Sequence, residues 1–69
     1  MQIGKYRVRA SAGYSDEAGG FQGSAHLTWD EGSDTCVQTI HFDKVLPTGA
    51  EAELHAIEQI EIRVKQGVL

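Results

Sequence analysis

The side chains able to do chemistry in this 69-residue sequence are one cysteine, three histidines and ten carboxylates, and their spacing groups few of them. Cys36 follows Asp34 and Thr35, with no base beside it to favour a thiolate, so it reads as a small buried hydrophobe. Gly19-Gly20-Phe21-Gln22-Gly23 stands between two extended segments rather than ahead of a helix, and so lacks the N–H cradle that a phosphate needs. Glu51, Glu53, Glu58 and Glu61 lie along one helical segment. Nothing there forms a cleft in which two carboxylates could divide acid and base roles. No catalytic or cofactor-binding residue is assigned, and an enzyme is not expected.

Metal chemistry rests on His26 and His41. Both are expected to point outward, and if Trp29 pairs with Cys36 they become diagonal neighbours on adjacent strands, about 7–8 Å apart at the backbone. Two imidazoles could share an ion there, but zinc asks for a full tetrahedral set and no third ligand is evident. His55 falls on the exposed side of the helix. All three read as surface histidines, with no metal expected.

One patch carries a functional suggestion. Lys5, Arg7, Arg9, His26, Thr28 and His41 form the candidate binding face, with Ser11, Gln22, Ser24 and Thr39 beside them. Three of the six basic residues thus project from one strand, while the acids sit in loops and on the helix. Such a face could contact phosphates and base edges. It lacks the exposed aromatics on which single-stranded nucleic acids stack. The plain alternative is a solvated sheet face, common in antiparallel sheets.

These assignments depend on period-two alternation. Residues 5–14 place Tyr6, Val8, Ala10, Ala12 and Tyr14 on one face; residues 21–29 do the same with Phe21, Gly23, Ala25, Leu27 and Trp29. Residues 35–43 alternate more weakly, with Cys36, Gln38, Ile40 and Phe42 inward, since the opposite phase would expose Ile40 and Phe42. Polar, glycine-containing turns at 15–20 and 30–34 are too short for a parallel crossover, which predicts an antiparallel meander. Pairing Tyr14 with Phe21 then sets Arg9 opposite His26, Val8 opposite Leu27, Tyr6 opposite Trp29, Ala10 opposite Ala25 and Ala12 opposite Gly23. The inner face acquires a floor of small side chains that a helix can approach closely.

The helix is expected over 49–66. Thr48 and Glu51 have the capping-box spacing, each side chain meeting the other's backbone N–H. Pro47 ends the extended segment before them. Arg63 and Lys65 suit the negative end of the dipole, and Gly67 suits the position after the last turn. Ala50, Leu54, Ile57, Ile60, Val64 and Val68 make the apolar stripe, with Ile62 alone on the far side. The expected core is Tyr6, Val8, Leu27, Trp29, Ile40, Phe42, Leu54, Ile57, Ile60 and Val64. The fold class is therefore α+β: a three-stranded antiparallel meander (β-β-β-α), one domain over 1–69, with the C-terminal helix packed on one face.

Composition bounds the rest. A domain this small buries only about 60% of its unfolded surface, and a single cysteine allows no internal disulfide to support it. Net charge is −4, against generic attraction to nucleic acid or anionic lipid. Residues 1–10 lack an apolar h-region and no apolar run approaches about 18 residues, so no membrane partner is expected. The lone cysteine fits a reducing compartment, and the cytoplasm is the expected location.

The pattern Tyr6-x-Val8, Gly20-Phe21-x-Gly23-x-Ala25, Phe42, Thr48-x-x-Glu51-Ala52 and His55-Ala56 spans the chain and resembles small bacterial β-β-β-α domains of this length. The resemblance implies the fold and no activity. The layout is also similar to ethylene-response-type DNA-binding domains of plants and to integrase arm-binding domains, which read DNA with a three-stranded sheet. Only Arg7 and Arg9 match their basic positions, and Trp29 has inward parity. The resulting expectation is a non-catalytic protein-interaction or regulatory module, its partner another protein or a second copy of the chain. Nucleic-acid binding through the outer sheet face is the alternative.

Overall fold

A computed structural model describes residues 1–69. Four strands and one helix follow in the order β1 (Gln2–Ile3), β2 (Tyr6–Ser15), β3 (Gly20–Glu31), β4 (Asp34–His41) and α1 (Gly49–Gln66). The strands form one antiparallel sheet in sequence order. The fold is α+β, but the sheet has four strands where the periodicity predicts three. The extra one is made by Gly4, whose φ of 58° at the first central position of a two-residue turn lets Ile3 pair with Tyr6. Met1 extends this edge, its backbone N and O lying 2.9 and 2.7 Å from Val8 O and N.

The β2–β3 register is the expected one, with Val8 opposite Leu27, Arg9 opposite His26 and Tyr14 opposite Phe21. Tyr6 meets Trp29 edge to face at 5.1 Å between ring centroids. The second turn is tighter than the sequence suggests. Gly32, at φ 63°, and Ser33 alone connect Glu31 to Asp34, so Asp30 belongs to β3 rather than to a loop. Beyond β4 the chain bulges through Asp43–Val45 and rejoins β3, where Leu46 and Phe21 exchange two 2.8 Å backbone bonds.

The helix has the expected span and packs with a different face. Its buried residues are Ala52, Ala56 and Ile60, while Leu54 is 55% exposed and Val68 66% exposed. Size matching decides this. Gly23 and Ala25 form the floor beneath it, and a Cβ on Gly23 would collide with the Ala52 carbonyl oxygen and come within 3.3 Å of Ala56 Cβ. Only a small-residue stripe fits that approach. Leu54, two residues from Ala56, is turned about 160° away from the contact. The core is Tyr6, Val8, Ala25, Leu27, Phe42, Ala52, Ala56 and Ile60. Ile57, Trp29, Ile40 and Val64 are only partly buried. Thr48 Oγ1 accepts from Glu51 N at 3.2 Å. The return bond expected from the Glu51 side chain is not formed. Gly67 takes the left-handed conformation at φ 72° and closes the helix onto Arg63 and Val64 carbonyls. No helix is long and apolar enough to cross a membrane.

Candidate functional site

The helix covers one side of the sheet and leaves the other side open, so the outward residues of β2, β3 and β4 share a single exposed surface. Arg7, Arg9, His26 and Thr28 line one shallow depression on it. His41 lies one diagonal step from His26 and lines a second depression with Gln22 and Ser24. Lys5 is displaced from the expected strand. It occupies the β1–β2 turn, with Nζ 5.5 Å from the centroid of the Tyr6 ring. Asp30 joins the face unexpectedly, because β3 runs on past Trp29. It sits 3.5 Å from Arg7 in the one ion pair of the structure, with both side chains more than half exposed. Thr35 Oγ1 donates to the same carboxylate at 3.2 Å. Arg9 has no carboxylate against it.

Side chains on this face are tied across strands by hydroxyl–imidazole contacts. His26 Nε2 lies 3.3 Å from Ser11 Oγ, and Nδ1 lies 3.1 Å from Thr39 Oγ1. His41 Nδ1 lies 3.2 Å from Ser24 Oγ. A hydroxyl can donate or accept, so either tautomer of each ring is accommodated. Both nitrogens of His26 are thus engaged, and no group of three metal-ligating side chains converges. The Met1–Val8 bonds turn the even residues of β2 toward β1, which commits the backbone of Ser11 to the β3 ladder. Its N–H therefore cannot contribute to an oxyanion hole.

The edge of the sheet is the second surface. β1 ends one side after two residues, whereas β4 runs for eight at the other. The helix packs on β1, β2 and β3 but not on β4. As a result Cys36 and Ile40 are only half-buried, Gln38 is exposed, and Val37 is 76% exposed on the outer side. Phe42 N donates to Gly23 O at 3.0 Å, which fixes the parity: even residues of β4 turn their backbone groups toward β3. Thr35, Val37, Thr39 and His41 direct theirs to the open edge. From Thr35 to Ile40 there is no charged side chain and no proline, and three of these residues are β-branched on the outer side alone. The usual devices that block edge pairing are absent from this segment. The sequence shows its apolar and β-branched character, but the helix position that leaves it uncovered follows only from the packing of Ala52 and Ala56.

No protein-family model, curated protein or solved structure matches the chain.

Proposed function

We propose that this protein is a non-catalytic interaction module that takes up a β-strand from another polypeptide along the open edge of β4. The carrying observation is the eight-residue edge strand that the helix does not cover and that no charge interrupts from Thr35 to Ile40. Strand addition uses backbone bonds for affinity and alternate side-chain positions for selectivity. Here Val37 and Thr39 would meet the incoming strand on the outer side, and Cys36, Gln38 and Ile40 on the helix side. Selection of displayed short peptides against the chain, with counter-selection against Val37→Pro, tests the reading. The N–H of Val37 points at the open edge, so proline there removes a docking bond and none of the sheet's own. Enrichment of extended peptides that lose binding to the variant supports the module. A chain that enriches none is not a strand acceptor.

Arg9 motivates a second reading. It stands unpaired beside His26 on a flat exposed face, where a phosphate backbone could be contacted. Affinity for duplex or single-stranded nucleic acid at low salt, falling with added salt and with Arg9→Ala, supports it. No binding at low salt removes it. The ion pair of Arg7 with Asp30 and the net charge of −4 make this the weaker reading.

A further inference from the structure

We infer that the strand received by β4 is β4 of a second copy, paired antiparallel about a two-fold axis through Gln38. This rests on the reading of β4 as a strand acceptor and names its partner. Two-fold pairing requires that the edge be complementary to itself. With Gln38 opposite Gln38, Val37 meets Thr39, Thr35 meets His41 and Cys36 meets Ile40. Every outward backbone group of β4 then finds a partner, giving about eight new hydrogen bonds. No like charges are opposed along this segment.

Other registers of β4 against its copy are less favourable. Sliding toward the β3–β4 turn brings the carboxylates at Asp30, Glu31 and Asp34 of the two copies together, until Asp34 faces Asp34. Sliding the other way runs the partner into the bulge at Asp43–Val45, where the chain has left the strand to let Leu46 reach Phe21. Both shifts also leave some of the four outward residues unpaired. Among the small slips hydrogen bonding selects the alignment, since pairing about Val37 or Thr39 leaves about six bonds rather than eight, and charge opposes only the larger slips toward the turn. The result is a continuous eight-stranded sheet with both helices on one side. At a strand spacing of about 4.8 Å the helix axes lie roughly 19 Å apart. That leaves a trough floored by Cys36, Gln38 and Ile40 of both copies.

Gln38 would sit in a non-hydrogen-bonded pair with its own counterpart, the close-packed position with Cα atoms about 4.5 Å apart, within disulfide range. Cys36 would be about 13 Å along the strand from its counterpart. Sedimentation of the full chain from low to high micromolar concentration is expected to show a monomer–dimer equilibrium, and Val37→Pro to remain monomeric. In a Cys36→Ser background, Gln38→Cys is expected to form a disulfide-linked dimer under mild oxidation. The wild-type chain, carrying Cys36, is expected to form little. The cross-linking does not depend on how well Val37→Pro folds. A strict monomer throughout, or a dimer that Gln38→Cys fails to lock, overturns the proposal. A strict monomer that still selects peptides sensitive to Val37→Pro leaves the strand-acceptor reading standing and removes only the second copy.

Discussion

Gly23 lies directly beneath the backbone carbonyl of Ala52, so close that no side chain fits between sheet and helix at that point. Gly23→Ala should force the helix away from β3 and loosen the packing of Ala56 against Ala25. Overpacking of this kind costs about 1–3 kcal/mol, and the backbone collision places this case toward the upper end. Chemical denaturation should show a lower midpoint.

The choice of helix face makes a paired prediction. Ile60 is fully buried, and Ile60→Ala should cost about 2–5 kcal/mol. Leu54→Ala, on the exposed side, should stay within about 0.5 kcal/mol of the parent. Comparable losses for the two variants would contradict the observed helix rotation. Equilibrium denaturation of both proteins measures the contrast.

The cap offers a smaller effect. Only the Thr48 hydroxyl bonds an orphan N–H at the start of α1, at 3.2 Å from Glu51 N. Thr48→Ala should lower stability by about 0.5–2 kcal/mol. Glu51→Gln should matter less, because its side chain makes no return bond. Thermal unfolding of the two variants distinguishes them.

Asp30 restrains Arg7 on the outer face. Their ion pair is exposed on both sides and should contribute no more than about 1 kcal/mol before screening. Asp30→Asn should therefore leave stability nearly unchanged. If the outer face contacts phosphates, the same change should raise low-salt affinity for nucleic acid and steepen its salt dependence, whereas Arg9→Ala should lower affinity. A filter-binding series in salt reads both.

The parts of this fold legible in sequence are those fixed by local pattern. Alternation in β2 and β3, with a short loop between them, sets Arg9 opposite His26, and the cap and stop residues bound α1. β1 is too short to carry periodicity, although Ile3-Gly4-Lys5-Tyr6 has the glycine-first form of a tight hairpin turn. Helix rotation is a harder problem. α1 carries a large apolar stripe through Leu54 and a small one through Ala52 and Ala56, and burial per residue favours the large one. Contact with Gly23 favours the small one, because proximity depends on both surfaces at once. The open edge of β4 follows from that rotation. Its outward parity needs the Phe42–Gly23 bond, which no single strand reveals.

Amide hydrogen exchange along β4, followed as protein concentration rises, tests the edge most directly. In dilute solution Gln38 and Ile40 should be protected by β3, and Val37 and Thr39 should exchange freely. At high concentration Val37 and Thr39 should become protected, erasing the alternation. Free exchange of Val37 and Thr39 at every concentration, with the alternation intact, would contradict pairing of this edge with a second copy.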